Sequence, residues 1–262
     1  MPLSEKQGVG SSILPLATMK IKKKIYILIQ KIKKIIEFFF PGYFSQNCKA
    51  IKKVIFQNDI VITTVYDIGC FIGDWYAERR NTFPKAKNFY LFDAQNLLNF
   101  KLLKGDFKFF NIVLGCNDGE VVSFWKDGGS GSSYFKELGN TLWNNIEPEK
   151  TTTTSLNTFI NKNNLQLPNY LKIDTQGSEV EILKGLGAFI NSESLYFIEL
   201  ELSLYQINEN GILLEDVINF MSKNNFVLIS TEQLPIVEYF NEKKLVQLNG
   251  VFARRSLIST NN

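Results

Sequence analysis

An acid and two glycines lie where a predicted strand turns into a predicted helix. The segment 65–75, VYDIGCFIGDW, begins with apolar residues that suit a buried strand, passes through Asp67, Gly69 and Gly73, and enters a helix at Asp74. Glycines at such a turn let the backbone approach a ligand that a Cβ atom would push away, and an acid at a strand end accepts hydrogen bonds from amines or hydroxyls. We therefore predict that Asp67, Gly69, Gly73 and Asp74 contact a ligand, although a turn that only packs against its own domain would use similar residues.

Two further acids close predicted strands of the same kind. Asp93 ends the apolar run 89–93, where an acid of a nucleoside-binding α/β fold can accept hydrogen bonds from both ribose hydroxyls. An ordinary strand-end aspartate that caps the next helix is the alternative. Asp174 ends the run 170–173, at the carboxyl end of a strand, where open α/β sheets bind their ligands.

Several later glutamates need other interpretations. Ser178 and Glu181 have the spacing of a capping box, so Glu181 is interpreted as a helix cap rather than a catalyst. Glu199 and Glu201 stand two residues apart in the run 195–202 and hence on one face of an extended segment. A strand that is buried on both faces would not normally carry two charges in its middle. The strand is therefore predicted either to end by Glu199, at the rim of the sheet, or to lie at an edge.

The composition excludes several kinds of site. The chain contains no histidine, which excludes histidine general bases, Ser-His-Asp triads and histidine-rich metal sites. The three cysteines, Cys48, Cys70 and Cys116, lack C-x-x-C spacing and are predicted to be free thiols in a reducing compartment. Proton acceptors must be carboxylates, tyrosines, lysines or water. Two carboxylates could also hold a divalent metal, but no ligand spacing singles out such a site, and we predict none.

Predicted strands and helices alternate along the chain and position these residues. A chain of 262 residues can bury one α/β core of roughly 200 residues plus an appendage. Further strands are predicted at 107–114, 119–125, 226–230 and 245–254, and a helix at 213–221. The polar run 127–133 is a loop that could cover a binding site or only connect elements. The pattern predicts an α/β fold with a doubly wound sheet of about seven strands and an antiparallel edge.

The basic charge is concentrated near the start of the chain. Residues 1–60 carry eleven lysines against three acids, so residues 61–262 have a net charge of −5 although the whole chain has +3. A nucleic-acid binder should spread cations over its folded face, so we predict no nucleic-acid partner. Between 19 and 40, apolar residues step by three or four with lysines off the stripe, which predicts a basic amphipathic helix. Lysines interrupt it too often for a membrane span or a signal peptide.

That helix could lie on an anionic membrane surface, pair with a partner helix in an oligomer, or dock on its own domain. All three uses stay open.

Four segments, in this order, resemble the FkbM-type methyltransferase family: VYDIGCFIGDW, FYLFDAQ, LKIDTQGSE followed by LKG, and FIELEL. LKIDTQGSE is the most specific of them, and the resemblance spans residues 65–254. It implies a class I methyltransferase Rossmann-like fold, S-adenosylmethionine as methyl donor, and transfer to a hydroxyl oxygen, often of a sugar in a glycan or natural product. Asp93 stands where many relatives have glutamate followed by proline, and Asn249 where relatives often have aspartate.

The resemblance also implies roles for single residues. Asp67, Gly69 and Gly73 match the donor-binding turn, and Asp93 matches the ribose-binding acid. Asp174 and Glu199 match acidic positions at the junction of donor and acceptor. We expect one of these two, with Asp174 the first choice, to orient the acceptor hydroxyl and to accept its proton late in the transfer.

The resulting predictions cover the organisation, the function and its alternatives. Residues 1–18 are predicted to be a disordered leader, 19–60 the basic helix and a lead-in, 61–256 the methyltransferase domain and 257–262 a tail. The predicted function is O-methylation of a sugar in a cell-surface glycan or its precursor, in the cytoplasm, with possible peripheral contact of residues 19–40 with the inner membrane face. The alternatives are an NAD-linked oxidoreductase of glycan precursors, whose G-x-G-x-x-G spacing is absent here, and a non-catalytic module of a glycan-assembly complex.

Overall fold

The computed structural model describes residues 45–98, 103–126, 129–138, 146–239 and 242–258, all within the unit Ser45–Asn262. The predicted leader at 1–18 and the predicted basic helix at 19–40 lie outside the described residues, as do residues 259–262 of the predicted tail. Among the helices of the described part, none combines the length and the hydropathy that crossing a bilayer requires.

The first elements are the helix α1, Gln46–Asn58, the strand β1, Thr64–Ile68, the helix α2, Asp74–Arg79, and the strand β2, Asn88–Asp93. The predicted order of strand, glycine turn and helix is confirmed. A short 3-10 turn at Arg80–Thr82 follows α2, and the helix ends before Pro84, whose ring cannot continue a helix.

The predicted strand at 107–114 is divided in two. Its first part is β3, Lys108–Asn111, which pairs with β2. Its second part is β4, Leu114–Gly115, which instead pairs with a short strand β7, Thr154–Ser155, outside the main sheet. The predicted strand at 119–125 is confirmed as β5, Val121–Phe124, and it forms a ribbon with β6, Glu149–Thr152.

The second half repeats strand and helix around the same sheet. Its elements in order are α3, Leu156–Asn163; β8, Tyr170–Ile173; α4, Glu179–Gly185; a 3-10 helix, Gly187–Asn191; β9, Phe197–Ser203; α5, Leu214–Lys223; β10, Phe226–Gln233; β11, Val237–Tyr239; β12, Glu242–Lys244; β13, Gln247–Arg254; and a 3-10 helix, Arg255–Leu257.

The main sheet has seven strands in the order β10-β13-β9-β8-β1-β2-β3. The strands from β9 to β3 are mutually parallel, and β13 runs antiparallel to both β9 and β10. The predicted α/β fold with a doubly wound sheet of seven strands and an antiparallel edge is confirmed. From β1 the chain continues to one side through β2 and β3, and later to the other side through β8 and β9, so the strand order reverses between β1 and β8.

Alternating side chains of the sheet enter two separate apolar cores. One core contains Tyr66 and Leu171 and is covered by residues of α3, α4 and α5. The other contains Val65, Tyr170 and Phe197 and is covered by residues of α1 and α2. The central strands β1, β8 and β9 are therefore buried on both faces, as in other sheets that are wound on both sides.

The prediction for the strand that carries Glu199 and Glu201 is wrong. β9 neither ends at Glu199 nor lies at an edge, because it pairs with β13 through both glutamates and with β8 through Glu199. Both side chains are buried in the middle of the sheet. Burial is possible there because the neighbouring side chains Tyr170 and Gln176 donate hydrogen bonds to the two carboxylates.

The predicted capping box is also wrong. Ser178 precedes α4, but its side chain caps no backbone N–H and instead donates to the hydroxyl of Thr175, 2.8 Å away. The carboxylate of Glu179 instead holds the turn before the helix, since it accepts hydrogen bonds from the N–H groups of Thr175, at 2.9 Å, and Gly177, at 3.2 Å. Glu181 forms an ion pair with Lys184.

A close backbone contact within the protein requires glycine at position 69. Its φ is +73°, and a Cβ atom there would lie 1.8 Å from the carbonyl oxygen of Asp174. The turn after β1 and the turn after β8 therefore touch through their backbones, at the place where a ligand had been expected to approach the glycine.

Replacing Gly69 with alanine should destabilise the protein more than backbone strain alone can explain. Gly119 is the matched control, because its φ is +72° and a Cβ there would meet nothing within 4 Å. We expect Gly119→Ala to lower the free energy of unfolding by about 1–2 kcal/mol, and Gly69→Ala to lower it clearly further, in urea unfolding experiments. Equal losses would show that the contact with Asp174 is unimportant.

Candidate active site

A cavity of about 300 Å³ opens at the carboxyl ends of β1, β2 and β8. We call it the strand-end cavity. It lies where the strand order reverses, the position at which open α/β sheets bind ligands. Among the predicted site residues, Gly69, Asp74, Asp93 and Asp174 line it. The other three predicted site residues, Asp67, Gly73 and Glu199, are not part of its wall.

Asp93 holds the turn after β1 and faces the cavity. Its Oδ2 accepts a hydrogen bond from the N–H of Phe71, at 2.7 Å, and its Oδ1 accepts one from the N–H of Gln95, at 2.8 Å. Burial raises the pKa of Asp93, while these two hydrogen bonds act in the opposite direction. The carboxylate is therefore fixed in orientation before any ligand arrives.

Asp67 is paired inside the protein. Its side chain lies next to the ammonium of Lys172, with Nζ 3.1 Å from Oδ1, and the residue is only 1% exposed. The two residues are register partners on β1 and β8, so both side chains project from the same face of the sheet. The structure thus places a lysine where an amine or hydroxyl of a ligand had been expected to meet Asp67.

Lys172 joins the two strands at the switch point. Besides Asp67, its Nζ lies 3.5 Å from Oδ2 of Asp174, and it donates a hydrogen bond to the carbonyl oxygen of Gly69 at 3.1 Å. Burial alone would lower the pKa of Lys172, but the negative charges of Asp67, Asp174 and Glu199 raise it overall. The lysine is therefore held in its charged form.

The sequence interpretation missed Lys172, which was read as one residue of a buried strand. A charged residue between apolar neighbours in such a strand is itself a signal, because burying a lysine is costly unless an acid pairs with it.

Glu201 lines the cavity although it was not among the predicted site residues. Its Oε2 accepts a hydrogen bond from Nε2 of Gln176, at 3.0 Å, and the same amide nitrogen lies 3.5 Å from Oδ1 of Asp174. Burial raises the pKa of Glu201 well above the ordinary range, and the charges of Asp174 and Glu179 add to the effect. The sequence alone does not give this position, because it depends on the register of β8 and β9: Ile173 and Leu200 are partners, which brings the following residues, Asp174 and Glu201, level with each other.

Glu199 lies deeper in the sheet. It accepts a hydrogen bond from the hydroxyl of Tyr170, and it is buried on the side covered by α1 and α2. Burial raises the pKa of Glu199, while Arg79 and the hydrogen bond from Tyr170 act in the opposite direction. The structure therefore brings Asp93, Asp174 and Glu201 together in the cavity, and it separates Glu199 from them.

The described part of the polar loop after β5 covers the strand-end cavity. Gly129, Ser130, Ser132 and Ser133 form part of its wall. Ser133 anchors the loop, because its Oγ donates a hydrogen bond to the carbonyl oxygen of Gln176 at 3.0 Å. The composition left open whether this loop covers a binding site or only connects elements, and the structure favours a loop that covers the cavity.

In the described ranges, no cluster of three or more Cys, Asp or Glu side chains has a geometry that could hold a metal ion.

A family model described as the methyltransferase FkbM domain matches residues 74–228, which is more than half of the chain. Among curated proteins, none matches the chain.

Several solved structures are similar to the chain at low identity. A Lactococcus lactis protein provisionally named a hemolysin has 16% identity and a TM-score of 0.40, with 80% of this chain and 88% of that chain covered. Magnesium protoporphyrin IX methyltransferase from Synechocystis, with bound S-adenosylmethionine, has 9% identity and a TM-score of 0.40, with 80% and 78% covered. An S-adenosylmethionine-dependent methyltransferase from Clostridium acetobutylicum has 10% identity and a TM-score of 0.39, with 86% and 98% covered. At these values the likenesses carry no conclusion about the function of this chain.

Replacing Lys172 with methionine should destabilise the fold strongly. The change leaves the buried carboxylate of Asp67 without its counter-charge, which typically costs about 3–5 kcal/mol. The double variant Lys172→Met/Asp67→Asn should recover most of the loss. Lys184→Met is the matched control, since the 2.6 Å pair of Lys184 with Glu181 lies at the surface and should contribute no more than about 1 kcal/mol.

The loss of folding stability in the Lys172→Met variant should also depend on pH. A buried carboxyl whose pKa is raised in the folded state stabilises the fold at low pH, and this contribution is lost as pH rises through the raised value. Urea unfolding of the single variant should therefore show greater stability in mildly acidic than in alkaline buffer. A small loss that is independent of pH would contradict the assigned pairing of Asp67.

Proposed function

The chain belongs to the FkbM methyltransferase family, and we propose that it transfers a methyl group from S-adenosylmethionine to a hydroxyl oxygen of a sugar. The observation that carries this proposal is the meeting of Asp93, Asp174 and Glu201 in one cavity at the switch point of the sheet. An acid at the end of β2 suits the ribose of a nucleoside donor. A pair of acids beside it suits an alcohol that must be oriented and deprotonated.

The turn after β1 favours a donor that has no phosphate. The N–H groups of Gly69 and Cys70 donate to the carbonyl oxygen of Phe92, at 2.9 and 3.1 Å, and the N–H of Phe71 donates to Asp93. These groups would have to be free to hold a pyrophosphate as dinucleotide-binding turns do. Their internal use supports a nucleoside that ends in an amino acid, and it counts against the NAD-linked oxidoreductase.

The residues around this turn fit such a donor. Each oxygen of Asp93 accepts one backbone N–H and retains acceptor capacity for a ribose hydroxyl. The indole N–H of Trp75, a residue of the cavity wall, is buried and has no hydrogen-bond partner in the described part of the chain. It is a suitable donor to the carboxylate of the cofactor. When bound, S-adenosylmethionine supplies a methyl group on a positively charged sulfur.

Asp174 and Glu201 have different roles toward the acceptor hydroxyl. A proton on Asp174 would weaken its attraction to the ammonium of Lys172, 3.5 Å away, so Asp174 is assigned to accept the hydrogen bond of the hydroxyl and to orient it. Burial raises the pKa of Glu201, so Glu201 is assigned to accept the proton. Bound S-adenosylmethionine would supply the methyl group, and Glu201 would take the hydroxyl proton as the acceptor oxygen gains that methyl group from the sulfur. This order reverses the sequence-based preference for Asp174 as the base.

Most of the barrier reduction is expected to come from orientation. Holding the acceptor oxygen in line with the methyl group can contribute about 7–11 kcal/mol, while a positioned base adds about two to four powers of ten in rate. The hydrogen bond from Gln176 to Glu201 and the ion pair of Lys172 with Asp174 keep the two acids in place.

We further propose that the acceptor is part of a cell-surface glycan or its precursor and that the enzyme works in the cytoplasm. Contact of the predicted basic helix at 19–40 with anionic lipid would bring it to the inner face of the membrane. That segment lies outside the described residues, so support for this contact comes from its sequence pattern alone.

Asp174→Asn and Glu201→Gln should each abolish methyl transfer while changing the affinity for S-adenosylhomocysteine only a few fold. The expected loss in turnover is about two to four powers of ten, because each change removes an acceptor of the hydroxyl proton or hydrogen bond. Turnover can be followed as transfer of labelled methyl groups to the surface glycan of cells that lack the gene, and affinity by isothermal titration calorimetry.

Glu199→Gln is the discriminating control. Glu199 lies two residues from Glu201 on the same face of β9 and is equally enclosed, but it is not part of the cavity wall. Turnover should survive this change. If Glu199→Gln lost activity while Glu201→Gln kept it, the sequence-based assignment would stand and ours would fail.

A further inference from the structure

A second cavity of about 290 Å³, which we call the side cavity, adjoins the strand-end cavity. Tyr134 belongs to the walls of both. The side cavity lies between the ribbon of β5 and β6, the described loop 129–138, Glu181 of α4 and the turn at Glu209 and Asn210. No step of the proposed reaction uses it.

Its walls are held in place by hydrogen bonds of the backbone. Trp125 and Ser133 exchange N–H to carbonyl bonds of 2.8 and 3.2 Å, and the N–H of Glu209 donates to the carbonyl of Lys136 at 2.7 Å. The carbonyl of Phe135 accepts a hydrogen bond from the side chain of Asn208 at 3.1 Å. A ligand would therefore meet a preformed site, which lowers the entropic cost of binding.

Aromatic side chains provide much of the lining. Trp125, Tyr134 and Phe135 all contribute to it, and the rings of Tyr134 and Phe135 pack edge to face with centroids 4.8 Å apart. The face of an aromatic ring carries partial negative charge and offers a large apolar area. It suits the C–H face of a sugar ring, which is apolar and slightly positive.

Carboxylates supply the polar part of the lining. Glu120, Glu181 and Glu209 contribute to the described wall together with the ammonium of Lys136, and Glu181 is also paired with Lys184. Carboxylates accept strong hydrogen bonds from hydroxyl and ammonium groups. Their excess over the cation disfavours a ligand that carries phosphate, sulfate or carboxylate groups.

We propose that the side cavity binds a second ring of the acceptor, one that bears hydroxyl or amino groups and no acidic group. The ring that is methylated then lies beside Asp174 and Glu201, on the other side of Tyr134. This inference rests on the proposed function, and it adds that the acceptor is at least a disaccharide.

Cys116 can report the occupancy of the side cavity without an activity assay. It lines the cavity and is partly exposed, whereas the other two cysteines of the chain, Cys48 and Cys70, are only 2% and 3% exposed. Burial and the charge of Glu181 raise the pKa of Cys116, so its reaction with N-ethylmaleimide is best followed in mildly alkaline buffer. Mass spectrometry of the modified peptide measures the rate at this one site.

Cellobiose and the disaccharide of glucosamine, at millimolar concentration, should slow the alkylation of Cys116 several fold, and digalacturonate should not. Trp125→Ala should abolish the protection. Glu209→Gln, at an exposed turn where the fold is not at risk, should weaken protection by the glucosamine disaccharide most. Val121→Ala is the matched control, because Val121 lies on β5, is exposed and is not part of the cavity wall.

Three results would overturn the inference: no protection by either neutral or amino disaccharide, equal protection by digalacturonate, or protection by a lysine-rich peptide in place of the sugars. Thermal stabilisation by S-adenosylhomocysteine is measured on the same samples. It distinguishes a failure of the side-cavity inference from a failure of the proposed methyl-transfer function. Stabilisation without sugar protection refutes only the side-cavity assignment. Sugar protection without stabilisation supports the sugar site and refutes the methyl-transfer function.

Discussion

A single buried ammonium allows the acids at the strand ends to gather in one place. Lys172 lies within 3.5 Å of both Asp67 and Asp174, and its positive charge offsets the repulsion between the two carboxylates. The same nitrogen donates to the carbonyl of Gly69, in the turn whose backbone touches that of Asp174. The lysine thus ties β1 to β8 at the point where the sheet order reverses.

The chemical character of the strand-end cavity depends on this link between β1 and β8. Because the turn after β1 uses its N–H groups on Phe92 and Asp93, it presents an oriented carboxylate and no phosphate cradle. Asp174 is held beside a cation and Glu201 is enclosed next to an amide, so the two acids have different surroundings although they stand level at the end of neighbouring strands. One group can then orient a hydroxyl while the other takes its proton, a division that needs no histidine.

The sequence was sufficient for the sheet, the glycine turn and the positions of Asp93 and Asp174, because these follow from local spacing and from where strands end. It was insufficient for Lys172 and Glu201, whose surroundings depend on the register between strands. A charge inside a predicted strand was interpreted as a sign of a rim or an edge, whereas pairing across strands allows it to be central. Gly69 was singled out as a ligand contact, but the atom that excludes a side chain there belongs to Asp174, more than one hundred residues away in sequence.

The central claim is that three separate strand ends form one site for a sulfonium nucleoside. Amide hydrogen exchange with and without S-adenosylhomocysteine tests it most directly, because the method reports every segment at once. The account predicts that peptides covering 68–76, 92–96 and 172–178 become protected together, that exchange in β10 and β13 is unchanged, and that NAD has no effect. Protection by NAD, or protection of one of these segments without the others, would contradict it.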